Sequence, residues 1–136
     1  MFVRTILGIF VVLHGLVHLL YFGHSRKFFE LQPGLSWPDG SWAFGRLLGV
    51  GTARWLAAGA NVLAMLGFVA GGVAVLAGWS WWRTLIVGAA AFSAAIWILF
   101  WNGKLQKLAE QGLVAIVINA AILVALLAFR WPDVGF

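Results

Sequence analysis

The sequence predicts an all-α fold, an integral membrane four-helix bundle with a long interfacial first loop. The 136 residues are 63% hydrophobic and only 10% charged, whereas a soluble domain usually has about 25% charged residues. The mean hydropathy is +0.99. Four apolar runs are each long enough to cross a bilayer, which takes about 20 helical residues. We therefore expect a single transmembrane domain formed by residues 1–136.

The four apolar runs give the approximate bounds of the helices. They are expected at about Phe2 to Gly23, Thr52 to Gly78, Arg83 to Trp101 and Gly112 to Phe129. Every backbone polar group inside a bilayer must be paired within the protein, and no run shows the alternation of a strand, so all four are helices. The first run follows a basic residue, as in a signal peptide. It is too long for a usual signal sequence and no cleavage motif follows it, so we interpret it as a retained helix.

The first connection, residues 24–51, is the longest and is rich in large apolar side chains. Pro33 and Pro38 interrupt regular structure, and Asp39 followed by Gly40 is a turn signal. We expect this loop to lie on the membrane surface and to cap the bundle. Four cations at this end are expected to meet lipid headgroups or to lie in the interface: Arg26, Lys27, Arg46 and Arg54.

The two later connections are shorter. The turn WSWWR between the second and third runs is tight, so these two helices should be antiparallel neighbours. The segment NGKLQKLAEQG is expected to extend a helix and then to break at Gly112. Gly67 and Gly71 form a G-x-x-x-G pattern, which lets helices approach closely in lipid. Packing within the chain is the favoured use of this pattern, and a homodimer remains open.

Eight of the nine tryptophans fall near predicted helix ends. This distribution is typical of an aromatic belt at the two bilayer interfaces, and a stacking platform for nucleic acid would not produce it. The net charge of +5 is therefore interpreted as contact with lipid headgroups, with no nucleic-acid partner. Lys and Arg number six on the side of the first and third loops and three on the side of the termini. The positive-inside rule then places both termini outside the cytoplasm of a bacterial or archaeal cell, as a multi-pass plasma-membrane protein.

Six polar side chains lie within or beside the apolar runs: His14, His18, Tyr21, Asn61, Ser93 and Asn119. Such groups are costly in hydrocarbon unless they are paired. The first three share one helix face. His14, Ser93 and Asn119 are expected near the bilayer midplane, and His18 and Asn61 about one turn towards the first loop. We predict that they face inward and form one polar cluster. The cluster either holds the helices together by hydrogen bonds or binds or protonates a small ligand.

Metal and haem sites are disfavoured. The chain has no cysteine, which removes disulfides, thiolate nucleophiles and covalent haem attachment. His14 and His18 lie on the same helix face, about 5–6 Å apart at Cβ, so they cannot approach one haem iron from both sides. The pair supplies only two of about four zinc ligands, and no carboxylate in the membrane completes the set. No catalytic motif occurs, and no catalytic residue is predicted.

The stretch RTILGIFVVLHGLVHLL resembles the first helix of DoxX-like four-helix membrane proteins, with Arg4, Gly8 and the His14–Gly15 pair in the matching places. The stretch FWNGKLQKLAEQGLVAIVINAAIL is similar to the last two helices of small bacterial membrane proteins. The resemblance implies membrane redox chemistry, in some cases as the partner of a quinone-reducing enzyme. The chain departs from the pattern where a DoxX-like protein often has a lysine after the His-Gly pair, and His18 lies nearby instead.

Three functions remain open at this point. The first is a non-catalytic binding or accessory module for an apolar ligand, a quinone or a lipid, or for a larger membrane complex. The second is a dimeric proton-coupled exporter that resembles small multidrug resistance proteins. His14 or His18 would then replace the membrane glutamate on which that class relies. The third, an integral-membrane enzyme, is the least favoured because no nucleophile–base pair is present.

Overall fold

The computed structural model describes all 136 residues and is entirely helical. The elements are α1 (Phe2–Ser25), α2 (Gly45–Ala77), α3 (Trp82–Phe100) and α4 (Val114–Leu123), the last flanked by π-helical turns at Ala109–Leu113 and Val124–Ala128. With these turns the fourth helical stretch covers Ala109–Ala128, and four helices are long and apolar enough to cross a membrane. The predicted all-α fold and the number of helices are confirmed. The spans agree with a multi-pass membrane protein.

The first loop is shorter than predicted. It covers residues 26–44, not 24–51, because α2 begins at Gly45 and not near Thr52. Gly49 forms a kink inside this helix, with φ 78° and ψ 164°. Glycine adopts this conformation at little cost because it has no Cβ, so the helix changes direction and continues.

The segment between α3 and α4 agrees with the prediction in one respect and differs in another. Gly112 has φ 104° and interrupts the helical path, as predicted. Residues 101–105 lack regular structure and residues 106–108 form a turn, so the predicted helical extension is present only as the π-helical turn at Ala109–Leu113. The backbone of Gly112 packs against the indole of Trp97, so the absence of a side chain at this position also permits a close contact.

Helices pack in chain order, α1 on α2, α2 on α3 and α3 on α4, whereas the backbones of α1 and α4 stay further apart. Glycines allow the close crossings. A Cβ at Gly72 would lie 2.8 Å from the carbonyl oxygen of Gly8, so α1 and α2 meet backbone to backbone. Gly67 and Gly71 both face α3, which shows that the G-x-x-x-G pattern packs within the chain. This packing leaves a seam between α1 and α4.

Two of the eight predicted belt tryptophans lie inside the protein. Trp37 is 1% exposed and Trp82 is 4% exposed. Trp37 is buried because the first loop folds over the end of the bundle and packs this indole against Tyr21 and Trp97. Trp82 is the first residue of α3, faces inward and belongs to the core. Five others are strongly exposed: Trp42, Trp55, Trp79, Trp81 and Trp131.

Two arginines, Arg4 and Arg83, cap helix ends on the side of the bundle that holds the chain termini. Arg4 donates through Nε to the carbonyl oxygen of Val75 at 2.9 Å and through Nη2 to that of Leu76. Arg83 donates to the carbonyl oxygen of Leu126 at 2.9 Å. The last carbonyls of a helix have no partner within the helix, and a cation there also complements the helix dipole. These contacts fasten the ends of α2 and of the fourth helical stretch.

Candidate functional site

Four of the six predicted polar residues meet inside the bundle. His14 Nε2 lies 2.9 Å from Asn119 Oδ1, and Asn119 Nδ2 donates to Ser93 Oγ at 2.8 Å. Ser93 Oγ lies 2.8 Å from His18 Nε2, and His18 Nδ1 lies 3.2 Å from the carbonyl oxygen of His14. We call these four residues the polar quartet. It joins α1, α3 and the fourth helix in one hydrogen-bonded ring.

The direction of every hydrogen bond in the polar quartet follows from one fixed acceptor. The carbonyl oxygen of His14 can only accept, so His18 Nδ1 carries the hydrogen and, in a neutral ring, His18 Nε2 accepts. Ser93 must then donate to His18 and accept from Asn119. The amide oxygen of Asn119 accepts from His14 Nε2–H. We assign neutral rings because a cation inside hydrocarbon is costly and no carboxylate contacts the quartet. His14 Nδ1 is left as an acceptor without a partner.

Aromatic contacts position the two imidazoles. The ring of Phe68 on α2 lies 4.7 Å from that of His14 and 5.5 Å from that of His18, centre to centre. Phe68 can come this close because Gly15 presents no side chain: a Cβ there would lie 2.8 Å from the Cβ of Phe68. The His14–Gly15 pair therefore combines a polar ring with a close helix crossing.

The other two predicted residues do not join the polar quartet. Tyr21 lies further towards the first loop, where its hydroxyl donates to the carbonyl oxygen of Glu110 at 3.2 Å. Asn61 is fully buried, but its Nδ2 donates to the carbonyl oxygen of Ala57 in its own helix at 2.8 Å. An asparagine can satisfy its donor locally in this way, so depth alone did not determine its partner. Asn61 Oδ1 has no hydrogen-bond partner.

Sequence reasoning missed a second group of buried polar atoms, which lies beneath the first loop. Trp37 Nε1, Trp97 Nε1 and His24 Nε2 are buried and have no hydrogen-bond partner. The rings of Trp37 and Trp97 are 5.0 Å apart, and that of His24 lies 6.5 Å from Trp37. A signal was available in Trp97, the one tryptophan placed well inside an apolar run, because a buried indole usually seeks a partner for its N–H.

An apolar groove of about 510 Å³ follows the seam between α1 and the fourth helical stretch, on the side of the chain termini. Thirteen of the fourteen residues that line it are hydrophobic: the lining is Phe2, Val3, Ile6, Leu7, Phe10, Val11, Ile86, Ile118, Ala121, Ile122, Ala125, Leu126, Trp131 and Pro132. Phe10 stacks on the ring of His14 with 6.1 Å between centres and an interplanar angle of 9°. His14 thus continues the face of α1 that lines the groove, one turn beyond Phe10.

A second cavity, of about 380 Å³, lies on the same seam but on the side of the first loop. Tyr21, Gln32 and Glu110 contribute polar surface to it. Between the two cavities the hydrogen bond from His14 to Asn119 joins α1 to α4. The seam is therefore open at both ends and closed in the middle by the polar quartet.

Two of the four cations predicted to meet headgroups are engaged within the protein. Arg54 donates to both oxygens of Asp39, at 2.7 and 2.6 Å, and Lys27 Nζ lies 3.5 Å from the same carboxylate. Burial raises the pKa of Asp39, but the hydrogen bonds and charges of Arg54 and Lys27 outweigh burial and hold this pKa below its usual value. Arg54 therefore links α2 to the first loop and is not a free interfacial cation. The sequence did not indicate this ion pair, because Asp39 lies fifteen positions away from Arg54 along the chain.

The other two predicted cations differ from each other. The guanidinium of Arg26 lies 3.5 Å from the centre of the Trp55 ring, which is a cation–π contact between α2 and the residue that follows α1. Arg46 makes no ion pair and lines a polar cavity of about 420 Å³ next to Asp39 and Asn102. The interfacial role of Arg46 stays a prediction.

No group of three or more His, Asp or Glu side chains is placed to hold a metal ion. Comparisons of this chain with models of protein families, with curated proteins and with solved structures find no match.

Proposed function

We propose that this chain is a multi-pass protein of a bacterial or archaeal plasma membrane that binds an elongated apolar ligand in the seam between α1 and α4. The ligand is of lipid or quinone type, and the protein acts on it as a binding or accessory module and not as an enzyme. One observation carries this proposal: an apolar groove of about 510 Å³ lies along this seam, and Phe10, which lines the groove, stacks on His14 of the polar quartet.

The size and lining of the groove support a ligand of this kind. Sites for small molecules usually enclose about 300–1,000 Å³ and combine apolar walls with a few polar groups that fix orientation. The walls of the groove are hydrophobic, and His14 of the polar quartet lies one helical turn beyond Phe10, which lines the groove. Because the backbones of α1 and α4 do not pack closely, a ligand can enter the groove sideways from the acyl chains.

The outer surface supports membrane insertion. In the most apolar part of each helix only 22–39% of the residues are buried inside the protein, so most apolar side chains point outward. Such a surface must be covered by lipid or by partner proteins. Phe28 and Trp42 of the first loop are 70% and 58% exposed, as expected for a loop that rests in the interface.

We also propose a relationship to DoxX-like proteins, because the residues that carry the resemblance contribute to the packing described here. Arg4 caps α2, Gly8 meets Gly72, and Gly15 admits Phe68 beside His14. A quinone-type ligand and a partner enzyme would follow from this relationship. The alternative of a proton-coupled exporter has less support, because three of the four imidazole nitrogens of His14 and His18 are engaged in internal hydrogen bonds.

The test uses two neighbouring alanines of α4. Both are exposed, but Ala121 lines the groove and Ala120 does not. The full chain is extracted with its native lipids in polymer nanodiscs, and the molecules that it retains are quantified by mass spectrometry. We expect a near-stoichiometric apolar molecule in the wild type and in Ala120→Phe, and its loss in Ala121→Phe. Retention in Ala121→Phe, or no retained molecule in any sample, would overturn the proposal.

A further inference from the structure

We propose that the head of the ligand is a hydrogen-bond donor: the seam takes an apolar molecule that bears a hydroxyl group, such as a phenol, a quinol or a long-chain alcohol. Heads that only accept hydrogen bonds, such as a quinone carbonyl, an ester or an ether, are disfavoured. This inference rests on the function proposed above and narrows its ligand: among lipid- and quinone-type molecules the seam selects those with a hydroxyl head, and therefore the reduced quinol form over the quinone.

The first step concerns the direction of the hydrogen bonds in the quartet. The ring hydrogens of His14 and His18 and the hydroxyl hydrogen of Ser93 are all directed to acceptors within the quartet. One amide hydrogen of Asn119 is directed to Ser93, and the other belongs to a residue with 0% exposure. The one ring nitrogen without a partner is His14 Nδ1, and the assigned tautomer makes it an acceptor.

The location of this acceptor is the second step. His14 is 7% exposed, whereas His18 is 1% exposed and Ser93 and Asn119 are 0% exposed. His14 also follows Phe10 on the groove-lining face of α1, and the two rings are stacked. His14 does not itself line the groove, so we infer that the head of the ligand extends one helical turn beyond Phe10 and meets His14 first among the quartet residues.

The preference between head groups follows from these two steps. A hydroxyl donates to His14 Nδ1 and completes the hydrogen bonds of the quartet. A carbonyl or ether oxygen would instead place its lone pairs against the lone pair of the nitrogen, with no water to separate them. A site built to pair with a hydroxyl discriminates against an analogue without one, because buried polar groups are left unpaired. We expect a difference in affinity of about five- to tenfold, from the usual net contribution of one hydrogen bond.

The experiment compares 4-nonylphenol with 4-nonylanisole, which differ by methylation of the hydroxyl. The full chain, with its histidines labelled with ¹⁵N, is placed in nanodiscs of dimyristoylphosphatidylcholine and titrated with each probe. We expect the phenol to bind about five- to tenfold more tightly than the anisole. We also expect the phenol to shift the Nδ1 resonance of His14 while that of His24, which lies outside the seam, stays unchanged. Binding should persist in Ala120→Phe and be lost in Ala121→Phe.

The outcomes separate the inference from the proposed function. If both probes bind equally and both are lost in Ala121→Phe, the seam is a ligand site but the donor head is refuted. Tighter binding of the anisole, or tighter binding of the phenol without a shift at His14 Nδ1, also refutes it. If neither probe binds, or if binding is the same in Ala121→Phe, the seam is not the site and the proposed function fails as well.

Discussion

Replacing Ser93 by alanine should weaken the bundle more than any other removal of one small polar group. The hydroxyl of Ser93 both donates to His18 Nε2 and accepts from Asn119 Nδ2, each at 2.8 Å. The three residues are 0–1% exposed, so water cannot replace the lost partner without repacking. Two buried polar atoms would be left unpaired by one substitution.

The expected magnitude follows from these two bonds. Hydrogen bonds between membrane helices contribute on average about 0.6 kcal/mol each and at most about 1.7 kcal/mol. Ser93→Ala should therefore lower the free energy of unfolding by about 1–3 kcal/mol. The double variant Ser93→Ala with Asn119→Ala should show a coupling energy of about 0.6–1.7 kcal/mol, because the two substitutions share one bond.

The chain offers a matched control for this cycle. Asn61 is as buried as Asn119, but its amide donates to its own helix and not to Ser93. Ser93→Ala and Asn61→Ala should thus be additive within about 0.5 kcal/mol. Unfolding free energies are measured by titration with sodium dodecyl sulfate in mixed micelles, followed by helical circular dichroism. Additivity in the Asn119 cycle, or equal coupling in both cycles, would refute the hydrogen-bonded quartet.

Two further predictions concern packing and the first loop. Gly72→Ala should destabilise the protein by about 1–3 kcal/mol, because the new Cβ would lie 2.8 Å from the backbone oxygen of Gly8, whereas a Cβ at Gly59 on the same helix meets nothing within 4 Å. Gly59→Ala should accordingly be neutral or stabilising by up to about 1 kcal/mol in thermal unfolding, and the reverse order would contradict the crossing. The pKa of Asp39 is lower when folded than its usual value, so its ion pair contributes stability above the unfolded pKa of about 3.9 and loses it as pH falls through the lower folded value. Limited proteolysis of the first loop should therefore accelerate on acidification in the wild type but be pH-independent in Asp39→Asn, and an unchanged acid response in Asp39→Asn would argue against the ion pair.

The helices could be predicted from the sequence because lipid imposes a simple rule. Apolar runs of sufficient length must be helical, and their polar residues must find partners. The inward face of His14 and His18 followed from their spacing alone. Their actual partners depended on the rotation and depth of α3 and α4, which are set by close contacts such as those of Gly71 with Ile86 and of Gly112 with Trp97. No periodicity within one helix contains that information.

The loop shows the opposite situation, in which local patterns were misleading. Trp37 looked interfacial, and Arg54 looked like a free cation at a helix end. Both are fixed by contacts between distant segments, Trp37 with Trp97 and Arg54 with Asp39. α2 also begins earlier than predicted, at Gly45, because the helix continues through the kink at Gly49. A helix can resume after one residue with positive φ. Such features become evident only when the loop is folded onto the bundle.

The ring of directed hydrogen bonds is the central claim, and ¹⁵N NMR of the labelled histidines in lipid bilayers tests it most directly. At neutral pH we expect two neutral rings of opposite tautomer, with the hydrogen on Nε2 in His14 and on Nδ1 in His18. The same tautomer in both rings, or an imidazolium at either position, would contradict the assigned directions and with them the free acceptor at His14.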